Sequence, residues 1–155
     1  MSFSVTSHGR VDDFIAATEA FRATEPVLTN VIGSISESAR DGRAYDTVMW
    51  LDVRDDAGAV VGCAVRTSPW NLVVSPMPAG AGIAVGRYVA HADPGVPGIA
   101  GVRSVVDEVA EGLRRSTPPQ PAMVDVVRRL DTFTPPTAAL PGAARQATSS
   151  DRDLL

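Results

Sequence analysis

The residues best placed to do chemistry are Ala79-Gly80-Ala81-Gly82-Ile83-Ala84, five of the six small, at the mouth of a helical pattern. Small side chains let backbone N–H groups approach an anion such as a pyrophosphate, and a helix N-terminus adds partial positive charge. The competing reading is a Gly/Ala-rich turn that packs closely and binds nothing. Other reactive groups are sparse. Asp52 is the one carboxylate within the strand pattern that precedes the loop. Cys63, the single cysteine, lies in VVGCAV and reads as a small buried hydrophobe, so an internal disulfide is excluded. One Cys and two His do not suit a zinc site, and fourteen basic residues that are all Arg exclude lysine chemistry.

The elements that position the loop follow from periodicity. Thr47, Met49, Leu51 and Val53 alternate with Val48, Trp50 and Asp52, which predicts a strand. Asp55-Asp56-Ala57-Gly58 then reads as a hairpin turn into a strand of Ala59, Val61, Cys63 and Val65 against Val60, Gly62, Ala64 and Arg66. Ser68-Pro69-Trp70 turns the chain into a third strand, Asn71–Ser75. Apolar residues on both faces predict a sheet covered by helices on each side. Upstream, Phe3 and Val5 mark a first strand. Val11, Phe14, Ile15, Thr18 and Phe21 recur at helical spacing, and after Thr24-Glu25-Pro26 so do Val27, Leu28, Val31, Ile32 and Ile35. Downstream, Ile83, Val85, Tyr88, Val89 and Ala92 predict a helix that ends at Asp93-Pro94-Gly95. Val96–Val102 predicts a strand, and Val105, Val106, Val109, Ala110 and Leu113 predict a helix that Ser116-Thr117-Pro118-Pro119 stops. Met123–Leu130 predicts a last strand. Glu108 and Glu111 read as solvated charges.

A chain of 155 residues, 45% apolar and 21% charged, can close one core. A net charge of −4 argues against a nucleic-acid partner. Arg114-Arg115 and Arg128-Arg129 read as solvated faces. The opening MSFSVTSHGRVDD lacks the apolar segment of a signal peptide, and no apolar run approaches the roughly 18 residues of a membrane span. The expected location is the cytoplasm, with no membrane partner.

In this order, β-α-α-β-β-β-α-β-α-β, the elements over Ser2–Phe133 resemble the GNAT superfamily of acetyl-CoA-dependent N-acetyltransferases. The resemblance implies an α/β (α+β) fold, with a mixed, mainly antiparallel central sheet and helices on both faces. It also implies acetyl-CoA as cosubstrate and an amine as acceptor. The family's acyl-CoA signature is Arg/Gln-x-x-Gly-x-Gly/Ala. Gly82 and Ala84 match its small positions, Ala79 stands where it has Arg or Gln, and Pro76 lies three residues before. The resemblance thus gives Gly80, Ala81, Gly82, Ile83 and Ala84 as the cofactor-binding set. No catalytic residue follows, because the strands carry no Glu for a general base and the helix Arg103–Ser116 carries no Tyr for a general acid. Tyr88, on the preceding helix, reads as packing.

The end of the chain bears on domain organisation. Thr134–Leu140 reads as a Pro/Ala/Thr linker over 134–141. Arg145–Leu155, RQATSSDRDLL, resembles the R-x-A-T-x-x-D-x-x-x-L opening of a further GNAT domain, with Ser149 or Ser150 capping a helix. The expectation is a non-catalytic GNAT-like domain over 1–133, a linker, and the first strand and helix start of a second domain over 142–155. Fourteen residues cannot bury a core of their own, so that tail should borrow contacts or fray. Three functions remain open: part of an acetyltransferase, a stand-alone binder of CoA or another nucleotide, or an interaction domain. In the last, Trp50 and Trp70 would be anchors of a homo-oligomer. The competing reading, favoured because Trp50 sits inside an apolar strand, is core packing.

Overall fold

The computed structural model describes residues 2–114, 120–135, 145, 146, 148 and 151. The elements run β1 (Ser4–His8), α1 (Val11–Thr24), α2 (Asn30–Arg40), β2 (Val48–Arg54), β3 (Val60–Thr67), β4 (Leu72–Val74), α3 (Ala81–Ala92), β5 (Ile99–Ala100) and α4 (Arg103–Leu113). One five-stranded sheet has the spatial order β1-β2-β3-β4-β5, antiparallel except for the parallel β4–β5 pair. The fold is therefore α+β, with a mixed sheet. Among the described residues, no helix is long and apolar enough to cross a membrane.

Strand alternation divides the core in two. Trp50, Cys63 and Val65 face α1 and α2, where they bury Phe14 and Ile32. Met49, Leu51, Val53, Ala64, Leu72 and Val74 face α3 and α4. Helices cover both faces, as the two-sided apolar pattern predicts. Trp50 is core, stacked at a tilt on Phe14 with ring centroids 5.4 Å apart, whereas Trp70 is 66% exposed.

Local chemistry explains the connections. Asp55 Oδ1 accepts from the amides of Ala57 and Ala59, each at 2.9 Å, and Gly58 takes φ +82° to close the β2–β3 turn. Buried Thr18 and Ser36 return their hydroxyls to the carbonyls of Phe14 and Ile32, four residues back, so neither is left unsatisfied. Arg66, almost wholly buried, donates from Nε to Asp93 at 3.0 Å and from Nη1 to the Trp70 carbonyl. It thereby ties the β3–β4 turn to the end of α3. The helix forecast from Val27 starts later, at Asn30, and Leu28 and Val31 are exposed.

One predicted strand is absent. Met123–Leu130 is irregular and exposed rather than the last strand of the sheet. A strand needs a partner edge, and β5, the outer strand on that side, is two residues long. The stop at Ser116–Pro119, most of the proposed linker and most of 142–155 lie outside the described residues. Of that tail, Arg145 grips the Asp151 carboxylate with both terminal nitrogens, at 2.7 and 2.6 Å. Asp151 also accepts from the Thr148 amide at 2.7 Å. The Arg145 hydrogen bond is the main cause that holds the Asp151 carboxyl well below the usual carboxylate range.

Candidate site at the glycine loop

The loop is placed by the way β4 leaves the sheet. After Val74, the pairing with β3 is continued by Ser75. Its amide donates to the Cys63 carbonyl and its hydroxyl accepts from the Cys63 amide, both at 2.9 Å. Pro76 and Pro78 then supply no N–H, so the ladder ends and the chain turns into α3. Gly80 caps that helix with φ +88°, a left-handed conformation that suits glycine.

The anion-binding geometry predicted for the loop exists, and a side chain of the protein fills it. Glu108, on α4, accepts from the Gly80 amide at 2.9 Å through Oε1 and from the Gly82 amide at 3.1 Å through Oε2. The carboxylate spans the first free N–H groups of α3, where the helix dipole favours negative charge. Glu108 is therefore not a solvated charge. Residues 105, 108, 109 and 112 form one stripe on α4, and that stripe meets α3. A Cβ on Gly82 would lie 2.7 Å from the Glu108 Cβ, so small residues at the loop serve this contact.

The remaining members of the predicted cofactor-binding set divide by burial. Ala81 is fully buried in the core, and Ile83 and Ala84 are half-buried. The Ile83 carbonyl lies against α4, 2.4 Å from where a Gly112 Cβ would be. Tyr88 packs half-buried against the same core. The loop thus brings Gly80, Gly82 and Glu108 together, with neither Asp52 nor Cys63 among them.

Asp52 belongs to a different cluster, on the α1/α2 face. Fully buried, it receives His8 Nε2 on Oδ2 at 2.8 Å. It also takes a two-pronged contact from Arg54, Nε to Oδ1 and Nη2 to Oδ2, both at 3.0 Å. That hydrogen-bonding, and then the negative charge, raises the Arg54 guanidinium further above its ordinary value. Cross-strand register explains the grouping, because Thr6 and Cys63 flank Asp52 while His8 sits opposite Trp50. The carboxylate thus completes its charge inside the sheet, in a structural arrangement.

Cys63 is buried beside this cluster, and loss of solvation pushes its thiol up to about 12. Thiolate is the reactive form, so a thiol reagent at neutral pH should leave native Cys63 untouched and label it fully in denaturant. Native-state labelling at the denatured rate would overturn the assignment. The linkage has a clear sign. The ordinary value is 9.0 and the native one about 12, so the stability this thiol contributes is complete below pH 9 and is lost between pH 9 and 12.

Beside the loop lies an open groove of about 610 Å³, between the end of α1 (Phe21, Thr24, Glu25) and Val61, Pro76 and Met77. Glu25 is its one charged lining residue among the described residues. Among the described residues, no group of three or more His, Cys, Asp or Glu could hold a metal ion.

Comparison of the chain with protein-family models, with curated proteins and with solved structures finds no match. The residues themselves carry the functional argument.

Proposed function

We propose that this chain carries a GNAT-like domain that does not itself bind acetyl-CoA and that serves as the non-catalytic half of an N-acetyltransferase. Support for the fold comes from the element order β-α-α-β-β-β-α-β-α and from a Gly/Ala loop at the exit of β4. The observation that carries the functional half is the Glu108 carboxylate on the amides of Gly80 and Gly82. A pyrophosphate needs those same N–H groups, and a second negative charge beside Glu108 would be repelled. Ala79 supplies no side-chain donor to compensate. Acetyl transfer to an amine would then rest on a second GNAT domain, with this one shaping the substrate cleft or the interface.

Calorimetry with CoA tests the reading. The 155-residue chain should show no binding up to about 1 mM, an affinity floor near 4 kcal/mol. It should also show no acetyl-CoA turnover, whereas a version extended by a second GNAT domain should turn over. Micromolar CoA binding by this chain, or turnover by it alone, would sink the proposal. Glu108→Gln keeps the shape but removes the charge at the α3 terminus, so it should lower stability by about 1 kcal/mol, measured by denaturant unfolding.

A further inference from the structure

We propose that residues 123–131 form a self-recognition strand, through which two copies of the chain pair antiparallel about a two-fold axis at Val127. The observation behind it is a run of unburied apolar side chains that is unusual for a folded chain. Met123, Val124, Val126, Val127, Leu130 and Phe133 are 77%, 79%, 74%, 59%, 72% and 71% exposed. Three valines in MVDVVRRLD favour a strand over a helix. The chain's own sheet offers shorter edges on both sides, five residues at β1 and two at β5. A nine-residue strand finds an edge of equal length in another copy of itself.

The charge pattern of the strand is complementary to a second copy of itself. A two-fold axis perpendicular to an antiparallel pair sets residues of equal parity opposite each other, so only alternate registers are allowed. Centred on Val127, the pairing sets Asp125 opposite Arg129 twice and Val124 opposite Leu130 twice. Val126 then meets the aliphatic stem of Arg128, and Val127 meets itself. Centred one residue later, Asp125 faces Asp131 and Arg128 faces Arg128. Centred one residue earlier, Asp125 faces Val127 and no ion pair forms. Of these three registers, only the one centred on Val127 satisfies both charge and apolar contact, and it alone overlaps all nine residues. Within a single chain, Arg129 contacts Asp131 at 2.5 Å, with both side chains more than two-thirds exposed, and such a pair exchanges readily for the new one.

The inference stands apart from the acetyltransferase reading, because it uses no residue of the loop. Its test is the mass of the full 155-residue chain by light scattering, from about 1 μM to about 1 mM. The mass should rise toward that of two chains. Asp125→Arg alone, and Arg129→Asp alone, each set like charges opposite one another twice, so each should move the midpoint up about tenfold. The double exchange, Asp125→Arg with Arg129→Asp, restores opposite charges and should return the midpoint to near its starting value. All variants should keep the parent's circular dichroism and melting temperature, since the segment lies outside both core clusters. A monomer at every concentration would overturn the proposal. So would a double exchange no better than the single ones, or slow amide exchange at 123–131 in the monomer, which would mean docking on the chain's own sheet.

Discussion

Replacing Arg54 with methionine is expected to cost about 3–5 kcal/mol, although the side chain is 36% exposed. Substitutions at exposed positions usually stay within about 0.5 kcal/mol. The difference lies in what Arg54 leaves behind. Asp52 is fully buried, and of the three side-chain hydrogen bonds it accepts among the described residues, two come from that one guanidinium. Without it, His8 Nε2 alone would face the carboxylate, and Oδ1 would have no donor. A buried charge left uncompensated in this way is among the largest single penalties in a fold. Adding Asp52→Val should recover part of the loss, because no buried charge then remains. Denaturant unfolding measures both variants. A loss below 1 kcal/mol for Arg54→Met would show that water reaches Asp52.

The second large effect is expected where α3 crosses α4. A Cβ on Gly86 would lie 2.2 Å from the Val109 carbonyl oxygen and 2.8 Å from the Gly112 Cα. Both obstacles are backbone, so neither can move aside as a flexible side chain would. Gly86→Ala is expected to force the helices apart and to cost about 3 kcal/mol, the upper end for overpacking. The separation should also draw Glu108 from the amides of Gly80 and Gly82, since Val109 and Gly112 share its helix. Gly9→Ala is the control, with nothing within 4 Å of the added atom and an expected change within about 0.5 kcal/mol. Equal stability for the two variants would show that the crossing relaxes freely.

Much of the fold is legible without coordinates, because period-two and period-3.6 patterns report which residues share a face. They separate Met49, Leu51 and Val53 from Trp50, and the two groups do enter different core clusters. The same patterns locate the hairpin at Asp55–Gly58 and the Gly80 turn. Met123–Leu130 shows their limit. Its composition suits a strand, but pairing depends on a neighbouring edge, and no local pattern records one. Glu108 shows the limit at the candidate site. Its charge reads as solvated, but it lies on the α4 stripe of Val105, Val109 and Gly112, and its partners are 26 and 28 residues away, at Gly82 and Gly80.

The sequence by itself determined the order of the elements as far as α4, the two-sided sheet and a glycine loop at the start of α3. Only the tertiary structure decided which group accepts from the amides of that loop. Helix α4 crosses α3 closely enough, at Gly86 and Gly112, for a Glu108 carboxylate to reach the free amides first. Local propensity specifies donors, whereas packing distance specifies who accepts from them.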